Sequence, residues 1–369
     1  MRAVSWRGSP SRSRGSRPIG VNGRMSDCQG PAQPEIGIDR KVMFLGSPAA
    51  YVERPSRVER IETHFSWVFL TDRHVFKLKK PLRGEDFDFS SLDARRRNAV
   101  QEVRLNRRLS SGVYIGVVPL TLEAGSDLAI AGEGVVIDWL VKMVRLPAQR
   151  MLDHRLARGD WHRGDIVALA DRLARFFSAA PRVAIRPTVY LERLRAECRY
   201  SRRALRAGGG PELQHAAQYV ARRIEAFIYC RRDLLLQRLV EGRIVEGHGD
   251  LRPEHICLGP APQMIDCLEF RADLRSLDPM DELAFLTMEC EKIGARSVGQ
   301  ILFRRYCLRA RDFPPPQLMI FYKVMGALVR ARIAILHLHE SPVRDPGKWP
   351  KRAAEYLAIA TCAAPHLDR

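Results

Sequence analysis

The sequence predicts an α+β fold in two parts: a small N-terminal lobe of antiparallel sheet with one helix, and a larger, mainly helical C-terminal lobe. Three observations carry this. A chain of 369 residues exceeds one ordinary compact core and suits two. Short β-rich runs crowd the stretch from Val58 to Leu146. Beyond Pro147, apolar residues recur mainly at three- and four-residue spacing, the repeat of amphipathic helices.

Taken in order, residues 1–24 hold six arginines and no acid among Ser, Gly and Pro. Such a stretch cannot bury a core, so residues 1–40 are expected to be a disordered basic extension. It lacks the apolar run of a secretory signal, and Met25 is a candidate initiator. Residues 41–147 form the expected N-lobe. VERIE, SWVFL and HVFKLK read as three strands of a meander. Ser90-Ser91-Leu92-Asp93 opens a helix through QEVRLNRRL. VVPLTLE, a turn at Gly125, DLAIAG and VVIDWLVKMVRL supply further strands. Residues 148–369 form the expected helical lobe. Its helices include GDIVALADRLARFFSAA, PTVYLERLRAECRYSRRAL, one long stretch from Glu212 to Val240, and PMDELAFLTMECEKI. A non-helical insert, RIVEGHGDLRPEHICLGPAPQMIDCL, interrupts them.

Composition narrows the function classes. No run of about 18 apolar residues exists, so no membrane span is expected and the compartment is read as cytoplasmic. The eight cysteines form no C-x-x-C pair and read as thiols rather than a zinc site or disulfide framework. A net charge of +19 raises nucleic acid as a partner. However, only nine of the 61 basic residues are lysine, and the arginines spread over the whole chain. No basic cluster is interleaved with aromatics, so nucleic acid is not the expected partner.

The insert holds the chemistry. Kinase-type phosphoryl transfer needs a strand lysine for the nucleotide phosphates, a helix glutamate to orient it, a loop aspartate to accept the hydroxyl proton, and oxygen ligands for a metal. The sequence offers these in order. Lys77 and Lys79 share a face of the third strand. Glu102 lies mid-helix, and Asp250 follows His248-Gly249. Asp266 sits in the apolar MIDCLEF, where a carboxylate is costly unless it meets a cation or metal.

VERIETHFSWVFLTDRHVFKLKKPL, QEVRLNRRL, YIGVVPL, HGDLRPEHICL and IDCLEF resemble the aminoglycoside phosphotransferase-type kinases over residues 40–360. The chain is most similar to the phosphotransferase half of bacterial bifunctional aminoglycoside phosphotransferase/ATP-binding proteins. The resemblance implies a two-lobed, protein-kinase-like fold and an ATP-dependent phosphotransferase using Mg²⁺ or Mn²⁺ on a small-molecule hydroxyl. It implies Asp250 as catalytic base, with His248 grouped beside it. It implies Lys77, or Lys79, on the phosphates, Glu102 as the ion-pair partner, and Asp266 as a metal ligand. Val141–Arg145, centred on Met143, resembles the hinge that adenine rests against, and Glu282 matches an aspartate that braces the catalytic loop.

The sequence also departs from that pattern. His255 takes the place of a metal-binding asparagine, Arg252 and Phe177 replace histidines, and no G-x-x-x-x-G-K-[ST] is present. Imidazole is a poorer Mg²⁺ ligand than an amide oxygen but a fair Mn²⁺ ligand. Position 255 therefore decides between an active kinase and a nucleotide-binding pseudokinase. The stretch FRADLRSLDPMDE is mixed in charge, which argues against a polycationic aminoglycoside as acceptor. A monomer or a homodimer is expected.

Overall fold

A computed structural model of the chain describes residues 36–84, 87–339 and 345–368. The arginine-rich extension, Met25 and Cys28 lie outside the described residues. The chain divides into two compact units. The first runs to Val103 and takes in Ile115–Arg145, while the second comprises Arg104–Tyr114 and Leu146 onward.

Among the described residues the first unit is a six-stranded sheet with two helices, where the sequence pattern predicted one. Helix α1 (Ile38–Leu45) begins inside the stretch expected to be disordered. It forms because Val42 and Leu45 are buried in the sheet core while Ile36 and Ile38 pack at its edge. Strands β1 (Glu59–Glu62), β2 (Ser66–Leu70) and β3 (His74–Lys79) form the expected antiparallel meander. Helix α2 (Leu92–Asn106) follows, then β4 (Tyr114–Leu122), β5 (Leu128–Ile130) and β6 (Val135–Val144). The strand order is β1-β2-β3-β6-β4-β5, so the last strand lies in the middle. Ten residues long and apolar on most positions, β6 reads as the kind of strand that can be covered on both faces. It pairs antiparallel with β3, setting Lys77 opposite Val141 and Val75 opposite Met143.

A buried aspartate ties this unit together. Asp138 on β6 is 1% exposed. One oxygen accepts from Lys41 Nζ on α1 at 2.7 Å and the other from Arg95 Nε on α2 at 2.7 Å. Arg95 also donates to the carbonyls of Phe89 and Ser90, which secures the entry to α2.

The second unit is helical. It contains α3 (Leu152–Ala157), α4 (Arg163–Ala179), α5 (Pro187–Gly208), α6 (Pro211–Cys230) and α7 (Arg232–Val240). The stretch from Glu212 to Val240, expected to be one helix, breaks at Arg231. Arg238 on α7 is buried, with paired bonds of 2.7–2.8 Å to Asp278 and to Asp312. These two carboxylates hold the guanidinium proton more tightly than usual. The insert supplies β7 (Val245–Glu246), β8 (Ile256–Cys257), β9 (Gln263–Met264), a short helix α8 (Ala272–Arg275) and β10 (Ser276–Leu277). Strand β7 pairs with β10, and β8 with β9. Then come α9 (Pro279–Lys292), α10 (Arg296–Ala310), α11 (Pro316–Leu336) and α12 (Lys348–Ala363).

Helix α11 is the centre of this unit and packs on α5, α6, α9 and α12. Segment Arg104–Tyr114 belongs here, not with the sheet, because Leu109 is part of the helical core. All the described cysteines are unpaired, and most are buried. Among the described residues no helix is long and apolar enough to cross a membrane.

Asp138→Ala strands Lys41 and Arg95 in the core without their carboxylate. Removing one partner of a buried ionic network costs about 3–5 kcal/mol. Urea denaturation should show a loss of that order for Asp138→Ala, and a much smaller one for substitution of the exposed Arg83.

Candidate functional site

In the first unit, the alternation of β3 puts Lys77 and Lys79 on one face. Both reach the same carboxylate: Lys77 Nζ lies 2.9 Å from Glu102 Oε1, and Lys79 Nζ 2.9 Å from Oε2. Glu102 is fully buried, and a buried carboxylate persists when it is paired. The two lysines differ in access. The Lys79 side chain is 2% exposed and stands 5.7 Å from the Phe89 ring, while that of Lys77 is 12% exposed. Lys77 is thus the better placed to meet a ligand. Met143 lies two residues along β6 from the partner of Lys77 and is nearly buried.

In the second unit, β7 runs directly into the loop Gly247–Arg252. Gly249 has φ +88°, and a Cβ there would come within 3.0 Å of Leu268 Cβ, so only glycine suits the turn. Glu282 grips this turn. Its carboxylate accepts the backbone N–H of His248 at 3.0 and 3.1 Å and that of Gly249. Glu282 is itself placed by the start of α9, where Asp278 caps Met280 N and Pro279 occupies the first helical position. Asp278 is pinned by Arg238 and by Tyr322 Oη at 3.2 Å. Burial pushes the Glu282 carboxyl up to about 7, against the lowering effect of the two backbone bonds.

His248 is fully buried, and both ring nitrogens are engaged. Nδ1 accepts from Asp250 N at 3.3 Å, so Nε2 carries the proton and donates to the Ile265 carbonyl at 3.0 Å. Burial and the adjacent His255 bring it down to about 4, so it is neutral near pH 7. Both ring nitrogens of His248 thus serve the shape of the loop that carries Asp250.

His255 closes a short 3₁₀ turn, Pro253–His255, five residues after Asp250. Its Nδ1 donates to the Asp250 carbonyl at 2.9 Å, which fixes the tautomer and leaves Nε2 as the unprotonated nitrogen of the neutral ring. Nε2 lies 3.6 Å from Asp266 Oδ2. A ring N–H anchored on a carbonyl, with the other nitrogen beside a carboxylate, is the arrangement of metal-binding histidines. Asp266 lies two residues past the end of β9 and has φ +61°, a left-handed backbone uncommon outside glycine. The site thus brings together Asp250, His255 and Asp266. Among the described residues no set of three or more acids, histidines or cysteines forms a metal cage. Asp266 and His255 suit an ion whose remaining positions are filled by phosphate oxygens and water.

Sequence reasoning missed the residues that hold Asp266. Tyr114 Oη accepts its N–H at 3.2 Å, and Asn106 Oδ1 accepts the next N–H, that of Cys267, at 2.9 Å. Arg108 donates to the carbonyls of Glu246 and Gly247 at 3.0 and 2.9 Å. All three come from Arg104–Tyr114, more than 130 positions earlier in the chain. The motifs QEVRLNRRL, which includes Asn106 and Arg108, and YIGVVPL, which begins at Tyr114, carried the signal.

The chain matches no protein-family model. It is 33% identical over 317 residues to uncharacterized proteins of Mycobacterium bovis and Mycobacterium tuberculosis. The match takes in 83% of this chain and 59% of each relative, so the chain spans about three fifths of the length of the curated relatives it matches. Several solved structures share its architecture. A choline/ethanolamine kinase family protein from Mesorhizobium loti aligns with TM-score 0.52 at 14% identity, over 88% of this chain and 99% of that one. Choline kinase from Cryptosporidium parvum aligns with TM-score 0.51 at 11% identity, over 89% and 97%. A GDP complex of an aminoglycoside 2'-phosphotransferase-IIIa variant aligns with TM-score 0.50 at 14% identity, over 84% and 92%. The fold is therefore that of the choline/ethanolamine kinases and aminoglycoside phosphotransferases, as the sequence resemblance implied.

The raised Glu282 carboxyl has a stability consequence. Its folded value of about 7 lies above its ordinary 4.5, so its contribution is whole below pH 4.5 and is lost as pH rises through 7. Glu282→Gln cannot ionise. Between pH 5 and pH 8 the stability difference between wild type and Glu282→Gln should move by about 2–3 kcal/mol in favour of the variant, read by urea denaturation at each pH.

Proposed function

We propose that this chain is an ATP-dependent phosphotransferase that moves the γ-phosphate to a hydroxyl of a small molecule. The observation that carries the reading is the loop in which Glu282 fixes the turn before Asp250 while His255 links Asp250 to Asp266. The fold supports it, because the same architecture occurs in proteins described as kinases of choline and as a GDP complex of an aminoglycoside phosphotransferase. The greater length of the mycobacterial relatives agrees with a likeness to one half of a larger protein.

In this reading Asp250 accepts the proton of the acceptor hydroxyl as its oxygen forms a bond to the γ-phosphorus and the bond to the ADP oxygen breaks. Lys77, oriented by Glu102, holds nucleotide phosphates, and Lys79 balances the second oxygen of the same carboxylate. Val141–Arg145, with Met143 at its centre, supports the adenine. Asp266 and His255 hold a divalent metal, which supplies neutralisation of phosphate charge when bound. A pseudokinase that binds nucleotide without turnover is the second reading, motivated by His255 in place of the usual amide ligand.

Asp250→Asn should bind ATP as wild type does but lose phosphoryl transfer by at least about a hundredfold, the usual scale of general-base catalysis. An ATP-consumption screen over hydroxyl-bearing metabolites, run with Mg²⁺ and with Mn²⁺, reads this. Binding without consumption of ATP under every condition would establish the pseudokinase reading instead.

Metal choice gives a second test. An imidazole nitrogen favours Mn²⁺ over Mg²⁺ relative to an amide oxygen. Wild type should bind nucleotide more tightly with Mn²⁺, and His255→Asn should shift the preference towards Mg²⁺. Equal preferences in the two proteins would show that His255 only packs the loop.

A further inference from the structure

Away from Asp250, the second unit carries a cavity of about 320 Å³ at the C-terminal end of α4. Its lining includes Arg108, Leu109, Arg172, Arg175, Phe176 and Pro181, and no acidic residue. Arg172 and Arg175 are three positions apart on α4 and so share a face. Arg172 donates Nη2 to the Leu109 carbonyl at 3.1 Å, but its Nε is buried without a hydrogen-bond partner. A buried charged donor left unpaired is costly. Burial and then the charge of Arg175 lower the affinity of Arg172 for its proton. The Arg108 guanidinium stands 5.2 Å from the Phe176 ring and is paired with Glu246 Oε2 at 3.2 Å. The lining therefore combines arginines with a flat apolar ring.

We propose that this cavity binds a small anion, a phosphomonoester or carboxylate attached to an aromatic or similarly flat apolar body. The oxygens would meet Arg172 and Arg175, satisfying charge-assisted donors, and the body would lie against Phe176 and Leu109. The volume suits a molecule of this size. Arg108 also holds the Gly247 carbonyl before the Asp250 loop, so a bound anion would share a cation with that loop.

The site is tested on the full chain by calorimetric titration with phenyl phosphate, benzoate and phenol at fixed ionic strength. Phenyl phosphate or benzoate should bind, and the uncharged phenol should not. The double variant Arg172→Gln/Arg175→Gln should weaken binding at least about tenfold, the scale of losing one charge-assisted bond. Arg175→Gln alone, at an exposed position that leaves the fold intact, should weaken it in the same direction. Phe176→Ala should weaken phenyl phosphate but not inorganic phosphate. Lys77→Ala separates this cavity from the phosphate-directed lysine of the first unit, and binding should persist in it. The proposal is overturned if neither anion binds, if the arginine variants bind as wild type does, or if Lys77→Ala alone abolishes binding.

Discussion

The second unit depends on one buried carboxylate. Glu282 accepts the N–H groups of His248 and Gly249, so two successive amides that would otherwise be orphaned in the interior are satisfied by a side chain from another element. That grip turns a glycine with positive φ and a fully buried histidine into a rigid platform, and Asp250 projects from its end. The grip is supported in turn. Arg238 binds two aspartates, and one of them, Asp278, starts the helix that carries Glu282. Tyr322 and Tyr190 extend the network, their hydroxyls 2.9 Å apart. None of these groups except Asp250 needs to touch a ligand, yet each fixes the one that would.

The first unit solves an analogous problem with Asp138. A carboxylate on the central strand binds a lysine from one helix and an arginine from another, setting α1 and α2 against the sheet. Helix α2 then delivers Glu102 to the two lysines of β3. Such buried networks are weak evidence of net stability, since apolar residues of similar size often serve as well. What they supply here is a defined position for a side chain, which burial of apolar area alone does not specify.

His255 shows how a departure from a motif is read in three dimensions. From sequence it stands as a substitution at a ligand position, open to binding, altered binding or packing. Its bond from Nδ1 to the Asp250 carbonyl selects a tautomer, and the resulting Nε2 faces Asp266. The histidine thus links the loop that carries Asp250 to the segment that carries Asp266.

The sequence by itself determined the α+β division and most strands and helices, because periodicity and turn residues are local, and its motif spacing proposed the ordered set Lys77, Glu102, Asp250 and Asp266. It indicated Glu282 through resemblance, while the Ile265 carbonyl that meets His248 Nε2 is a partner only folding supplies. Tertiary structure alone decided the rest. It placed β6 between β3 and β4, broke the helix at Arg231, and ordered α1 on the sheet. It assigned Arg104–Tyr114 to the helical unit, where Asn106, Arg108 and Tyr114 hold segments more than 130 residues away. Asp138 and Arg238 read in sequence as ordinary charges. Only the partners that folding brings to them, Lys41, Arg95, Asp278 and Asp312, make them the interior fixtures they are, and pairing between distant residues leaves no periodic trace in a single sequence.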